Sequence, residues 1–220
     1  MLPAQHPFDR SWQQDASGRT LLTVKTVGIG VTLSQGDTQE VRITASGDYS
    51  GSAPEVSVAA SGDHLTVTSG CPGDCSVQLE IVVPAGLASQ VDTGDAAIVA
   101  GGITGALDLR TTHGAVEVKK SSGPLRVQSK DGAVTISDST SSDANVATSN
   151  GAVDAAFTAA PAKVNLRTRS GAVDLRVPHD SDYYIEARSA SSSPEVRLPT
   201  DRNASHSLVV ETDSGGIRVR

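Results

Sequence analysis

Aromatic residues are scarce in this sequence: Phe, Trp and Tyr make up 3% of its 220 residues, with a single Trp and a single Met. The interior must therefore be filled by Val, Leu, Ile and Ala, which suits a narrow stacked core better than a wide globular one. No apolar run reaches the roughly 18 residues that a membrane-spanning helix requires. The net charge is −7 and basic residues do not cluster, so the composition argues against nucleic-acid binding.

The motifs of common catalytic and cofactor sites are also missing from the sequence. There is no Gly-x-Ser-x-Gly elbow, no phosphate-binding loop and no calcium-binding nonapeptide repeat. The five histidines are scattered without metal-ligand spacing. We therefore predict no cofactor, no metal and no enzymatic activity, with a carbohydrate-active solenoid enzyme as the alternative.

The only two cysteines, Cys71 and Cys75, lie in the segment Cys-Pro-Gly-Asp-Cys. Their spacing differs from a Cys-x-x-Cys redox motif, and no second pair of ligands exists to complete a zinc site. A tight turn at Pro-Gly would bring them together, so a structural disulfide is favoured over free thiols, with metal or redox chemistry third. A disulfide in turn favours an oxidising compartment.

One phrase recurs through the second half of the chain. It has alternating apolar residues, a Thr or Ser, a small-residue corner and a second alternating run, as in Leu107-x-Leu109-x-Thr111-x-x-Gly114-Ala115-Val116-x-Val118. The corner falls at residues 96, 114, 132, 151, 171, 190 and 215, and the copies at 96 and 190 are weaker. Self-similarity at steps of 18 to 25 residues indicates a repeat architecture.

Each copy of the phrase predicts two short strands of period 2, joined at the corner. A single copy cannot bury its apolar face, whereas stacked copies bury it and pair their backbones. The sequence therefore predicts an all-β, single-domain β-solenoid or β-roll with coils of about 18–22 residues, stacked about 4.8 Å apart. One inward file is expected to consist of Val116, Val134, Val153 and Val173.

The corner glycines are predicted to be structural turn residues, since glycine permits positive φ and close approach of the neighbouring coil. The Thr or Ser three residues before the corner is predicted to satisfy a corner amide or its counterpart one coil away. An exposed Thr array that orders water or ice is the alternative. The corner glycines are Gly114, Gly132, Gly151, Gly171 and Gly215.

The chain divides into three parts by pattern. Residues 1–18 are polar, contain two prolines and lack periodicity, which predicts a tail or linker. Residues 19–86 are predicted to be an irregular antiparallel β region that caps one end of the stack, with Leu65–Thr68 and Ser76–Val83 as a hairpin. Residues 87–220 carry the repeats, and since no linker precedes them, residues 19–220 are expected to form one continuous domain.

Acidic residues on the outer face are the candidates for a site. Asp154 and Asp174 follow their corners by the same offset, so stacking would place them one coil apart, where they could bind a cation or form an acid/base pair. Arg110 and Arg167 on neighbouring outward strands make charge compensation an equal explanation. Short polar residues are also common at turns. A second possible column, just before the corner, consists of Asp95, Asp131 and Asn150.

These motifs resemble those of the bacterial DUF4097 family, also labelled adhesin domains. The resemblance covers about Arg19 to Arg220 and implies a β-solenoid, often found beyond an anchor or leader in the bacterial envelope. It supplies no catalytic residues, and the family often has Gly-Asp where this chain has Gly-Ala. The residues that carry it are the run Ile81-Val82-Val83-Pro84-Ala85-Gly86-Leu87 and the phrases ending at Val118, Ile136, Ala155, Leu175 and Val219.

The repeats, the expected disulfide and the missing catalytic motifs together predict a non-catalytic, adhesin-like solenoid that presents a repetitive outer face to a partner. The partner is expected to be a protein, a cell-wall glycan or another copy of the chain. No signal peptide follows Met1, so an envelope or extracellular location requires a leader or anchor that has been removed. A cytosolic interaction or sensing module is the alternative if Met1 is the native start.

Overall fold

The computed structural model describes residues 5–220, and the regular secondary structure in this range is entirely β-strand. The strands form two sheets, the eleven-stranded sheet and the ten-stranded sheet. Within the same range, no helix is long and apolar enough to cross a membrane. The predicted all-β class is confirmed.

Each sheet runs the full length of the molecule. In spatial order, the eleven-stranded sheet contains β1 (His6–Asp15), β4 (Glu40–Ser50), β7 (Asp74–Val83), β3 (Gly30–Gln35), β9 (Ile98–Gly101), β11 (Val116–Lys119), β13 (Val134–Ser139), β15 (Val153–Phe157), β17 (Val173–Arg176), β21 (Ile217–Val219) and β19 (Glu195–Val196). The ten-stranded sheet contains β18 (Tyr183–Ser189), β20 (His206–Ser214), β16 (Lys163–Ser170), β14 (Asp143–Thr148), β12 (Leu125–Ser129), β10 (Leu107–Thr111), β8 (Ala88–Asp92), β2 (Leu21–Val27), β6 (His64–Gly70) and β5 (Glu55–Ser61).

A coil consists of one strand from each sheet, and successive coils pair in parallel. Val116 pairs with Val134, Val134 with Val153, and Val153 with Val173. All four side chains are buried between the two sheets. The predicted inward file and the β-solenoid architecture are therefore confirmed, and the core is a narrow aliphatic column as the composition requires.

Two more coils precede the repeats that the sequence reveals. β2 and β3 form one of them, with Val24 paired to Val91 and Val31 paired to Ile98. β6 and β7 form the other and stack on β2 and β3. The expected cap over residues 19–86 is thus mostly solenoid, and the antiparallel cap itself consists of β1, β4 and β5. The expected hairpin is wrong, because β6 and β7 belong to different sheets.

The predicted tail over residues 1–18 is wrong for residues 6–15, which form β1 on the edge of the eleven-stranded sheet. Residues 1–4 lie outside the described residues. β1 pairs antiparallel with β4 along its whole length. Phe8 and Trp12 lie on the side of β1 that faces the core, and Phe8 is buried. Backbone pairing does not depend on side-chain polarity, so the polar residues between them still form a strand.

The spatial order of the coils differs from their order in the chain at both ends of the stack. Chain order alone would put the copy with its corner near residue 190 between the copies at 171 and 215. Instead β20 and β21 stack directly on β16 and β17, and β18 and β19 are outermost. At the other end, β2 and β3 are inserted between β6 and β7 on one side and β8 and β9 on the other.

Candidate functional site

The corner glycines lie where adjacent coils approach most closely. A Cβ added to Gly132 would collide with the carbonyl oxygen of Gly114, and one added to Gly151 would collide with that of Gly132. Neither residue has a positive φ, so the expectation of positive φ is wrong for both and close approach is the reason for glycine. Gly114, Gly171 and Gly215 make the same kind of approach to the preceding coil.

The hydroxyl before each corner holds two coils together. Thr111 Oγ1 accepts a hydrogen bond from the N–H of Gly114 at 3.0 Å. Its O–H lies within hydrogen-bond distance of two carbonyl oxygens, that of Gly94 at 3.0 Å and that of Ala96 at 3.1 Å. Thr168 makes the same bond to the coil before it. These side chains are buried in the stack. The predicted structural ladder is therefore present.

The structure brings Asp154 and Asp174 together, as predicted, and surrounds them with arginines. The two residues are paired across β15 and β17. Arg176 Nη2 donates to both carboxylate oxygens of Asp154, at 3.0 and 2.8 Å, and its Nε lies 3.4 Å from Asp174. Arg220 Nη2 lies 3.1 Å from Asp174, and Arg218 Nη1 lies 3.7 Å from it. Both carboxylates are therefore neutralised by ion pairs.

The neutralising arginines are not those expected from the sequence. Arg110 and Arg167 lie on β10 and β16, in the ten-stranded sheet, whereas Asp154 lies in the eleven-stranded sheet. The arginine cluster continues to the end of the stack, where Arg197 and Arg218 donate hydrogen bonds that hold the pKa of Glu195 below its ordinary value. This part of the surface is a network of four arginines and three carboxylates.

The predicted column before the corner contains a histidine that the sequence analysis missed. His113 Nδ1 lies 2.6 Å from Asp95 Oδ1, and its Nε2 lies 3.4 Å from Asp131 Oδ2. Asn150 donates to Asp131 in turn. The four residues occupy the same offset, immediately before the corner, and this shared offset is the signal that would have found His113. The chain of contacts links the corners of four successive coils.

A groove that the sequence analysis did not predict crosses the outer face of the ten-stranded sheet. Its volume is about 440 Å³. Ala88, Ala106 and Pro124 line it from successive coils. Each directly precedes the first buried residue of its strand. Leu21 extends this apolar lining by one coil. The signal in the sequence is a small or apolar residue at one fixed offset.

A column of polar side chains lines the other side of the groove. Asp108 pairs with Gln90 on one side and with Arg126 on the other, and Arg126 pairs with Asn145. Asp108 Oδ2 accepts a hydrogen bond from Arg110 at 2.6 Å, whereas its buried Oδ1 has no partner among the described residues. The column thus presents a carboxylate, a guanidinium and two amides at one-coil intervals beside an apolar floor.

The predicted disulfide joins Cys71, in the corner between β6 and β7, to Cys75, the second residue of β7. The Cα atoms are 6.2 Å apart, within the range that a disulfide spans. The bridge closes the segment that replaces the short glycine corner of the other coils. Its place in the fold is therefore structural.

Comparison with known proteins places these features in context. The family model described as Toastrack DUF4097 matches residues 72–220, beginning later than the resemblance at Arg19 suggested. No curated protein matches the chain.

Solved structures with low sequence identity are similar to this chain. A solved putative adhesin from Parabacteroides distasonis is 14% identical, with a TM-score of 0.49 and coverage of 97% of both chains. One from Parabacteroides merdae is 12% identical, with a TM-score of 0.48 and coverage of 96% of both chains. A putative cell adhesion protein from Clostridium sporogenes is 11% identical, with a TM-score of 0.41 and coverage of 97% of this chain and 99% of the other.

Proposed function

The chain belongs to the Toastrack DUF4097 family, and on this premise we propose that it is a non-catalytic binding module of the cell envelope whose ten-stranded sheet holds a partner glycan. The groove on that sheet carries the proposal. Its polar column repeats once per coil and its floor is apolar and shallow. A polymer with hydroxyl groups at regular intervals can hydrogen-bond to such a column while its ring faces lie on the floor.

The charge network on the opposite sheet supports a role without catalysis. An acid/base pair needs one carboxylate that is free to exchange a proton. Arg176 binds Asp154 through two hydrogen bonds and also contacts Asp174. Because arginines hold both carboxylates in ion pairs, the arrangement matches a structural charge network.

The disulfide supports a location outside the reducing cytosol. Cys71 and Cys75 are bonded. Disulfides form and persist mainly in secreted, periplasmic and surface proteins. An adhesin-like module that binds cell-wall glycan would work in such a compartment.

The test is cosedimentation of the purified protein with insoluble bacterial cell-wall glycan. We expect wild-type protein to bind saturably and to release no soluble sugar. Arg126→Ala should weaken binding by about tenfold or more, because it removes a charge-assisted hydrogen-bond donor from the groove. Lys119→Ala removes the same charge from the opposite sheet and should bind as wild type does.

Equal losses in Arg126→Ala and Lys119→Ala would assign binding to net charge and contradict the groove. Release of reducing ends that Asp154→Ala abolishes would contradict the non-catalytic role and favour the carbohydrate-active alternative.

A further inference from the structure

Three of the four sheet edges at the ends of the stack carry a feature that blocks further pairing. β19 has only two residues. The edge of β18 is occupied by a neighbouring segment, since Asp201 N donates to the carbonyl of Tyr183 and Ile185 N donates to Thr200 Oγ1. β1 carries a proline and charged residues along its length. Short edges, covering segments, prolines and charges are the usual ways in which proteins prevent strand addition.

The fourth edge, β5, carries such a feature only at its first residue, Glu55. After Glu55 it contains neither a charge nor a proline, and its sequence is Val-Ser-Val-Ala-Ala-Ser. Among the described residues β5 pairs with β6 alone. A strand of this composition with a bare edge is a template for pairing with another strand.

The hairpin geometry identifies the free backbone groups of β5. The pair Ser61 and His64 closes the two-residue turn between β5 and β6, so these two residues exchange their backbone hydrogen bonds. Alternation along an antiparallel pair then directs the N–H and C=O groups of Val56, Val58 and Ala60 away from β6. These three residues present donors and acceptors to the free edge.

The two sheets end at different levels beside β5. β4 and β5 lie one strand beyond the outermost coil, but the eleven-stranded sheet continues to β1. Trp12 of β1 lies opposite Ile43 on the core side. It packs against the core together with Val56 and Val58, and all three stay partly exposed. The ten-stranded sheet therefore lacks one strand at a place where apolar side chains already line the gap.

A second copy of the whole molecule does not fit this gap. Two β5 strands that pair antiparallel are related by a twofold axis perpendicular to the sheet, which places both eleven-stranded sheets on the same side. Each β1 would then occupy the position of the partner's β4, since β1 extends one strand beyond β5. The gap beside β5 therefore has room for one additional strand but not for a second two-sheet molecule.

We propose that the edge of β5 is a docking site for a single extended segment of a partner protein, with apolar side chains at alternate positions. The segment pairs with the backbone of Val56, Val58 and Ala60, and its alternate side chains cover Trp12 and the exposed parts of the valines. This site is separate from the glycan groove, so either can fail without the other.

The probe is a synthetic peptide with the sequence of residues 63–70, of which residues 64–70 pair with the opposite edge of β5 in the protein. It supplies apolar residues at alternate positions, those of Leu65 and Val67. We expect saturable binding by fluorescence anisotropy. In hydrogen exchange by NMR, saturating peptide should slow exchange of the amides of Val56, Val58 and Ala60. The same peptide with Pro in place of Val67 should not protect them.

Ala60→Pro is the matched variant of the protein. It removes a free-edge N–H without removing a β5–β6 hydrogen bond, and proline is tolerated at such edge positions. We expect unchanged melting and affinity for the peptide reduced about fivefold or more. Ala60→Ser keeps the N–H and should bind as wild type does.

Failure of saturating peptide to protect the three amides in the wild-type protein overturns the proposal, and this measurement does not depend on how the variant folds. Dimerisation without peptide that Ala60→Pro abolishes also overturns it, because a second copy would then occupy the edge.

Discussion

Gly132 lies where the backbone of one coil passes closest to the backbone of the next. A Cβ at this position would meet the carbonyl group of Gly114, which is backbone and cannot rotate away, and also the hydroxyl of Ser129 at 2.9 Å. The side chain of even an alanine therefore has no space. The glycine is required by the distance between coils and not by its own φ.

Gly132→Ala should lower the free energy of unfolding by about 1–3 kcal/mol, since overpacking forces the two coils apart. Gly101→Ala is the control: Gly101 also lies in the solenoid, has no positive φ, and has open space where a Cβ would be placed. Urea unfolding of both variants checks this. Equal stability of Gly132→Ala and wild type would contradict the close approach.

The positions of these glycines could be predicted from the sequence, but the physical reason could not. Positive φ and backbone approach both select glycine, and a single sequence does not distinguish them. Asp154 and Asp174 show the same limit. Their offset predicts that they are neighbours. Arg218 in β21 and Arg220 just after it reach Asp174 from more than 40 residues away, which the offset does not predict.

At the scale of the secondary-structure element, the hydroxyl ladder sets the ends of the strands in the ten-stranded sheet. Thr111 is the last residue of β10, and its hydroxyl satisfies the amide of Gly114 and carbonyl groups of the preceding coil. Without that hydroxyl, the buried N–H of Gly114 would lose its partner. The ladder thus joins strand termination to coil stacking.

Thr111→Val should destabilise the protein by about 1–3 kcal/mol, because it keeps the shape and leaves the buried N–H of Gly114 without a hydrogen-bond partner. Thr111→Ser should cost less, since Ser129 makes the same bond to the amide of Gly132 at 2.9 Å. Thr135→Val, on the exposed face of β13, should change stability by no more than about 0.5 kcal/mol. Thermal melting ranks the three variants, and a Thr111→Val variant as stable as Thr111→Ser would contradict the ladder.

The strands of the central coils could be predicted because the period of 2, the hydroxyl and the glycine recur together. β2 and β3 carry the same alternation and Thr26, but Ile29 stands at their corner in place of glycine. β1 has no repeat at all, and only its antiparallel pairing with β4 defines it. Elements defined by a partner strand leave no periodic signal of their own.

At the scale of the whole molecule, the sequence predicts which residues of each coil face the core, but not which coils lie next to each other. Any coil offers the same inward file and the same backbone to any other, so the pattern fits several stacking orders equally well. Connection lengths decide between them. The long segment between β17 and β20 lets β18 and β19 move to the outside and leaves β20 beside β16.

Cysteine pairs on the outer face of the ten-stranded sheet distinguish the two orders. Asn165 pairs with Val209, and Val209 pairs with Glu186. In-register neighbours are about 4.8 Å apart, and residues two coils apart are separated by about twice that distance. A disulfide needs Cα atoms within about 7 Å.

Asn165→Cys combined with Val209→Cys should therefore form a disulfide under mild oxidation. Asn165→Cys combined with Glu186→Cys should keep free thiols, because a coil lies between the two positions. Intact mass with thiol labelling measures both, and the Cys71–Cys75 bond is the internal reference in each sample. The opposite result, with Asn165→Cys bonded to Glu186→Cys, would mean that the coils stack in chain order. It would then place β18 against β16 and move β20 to the edge of the sheet.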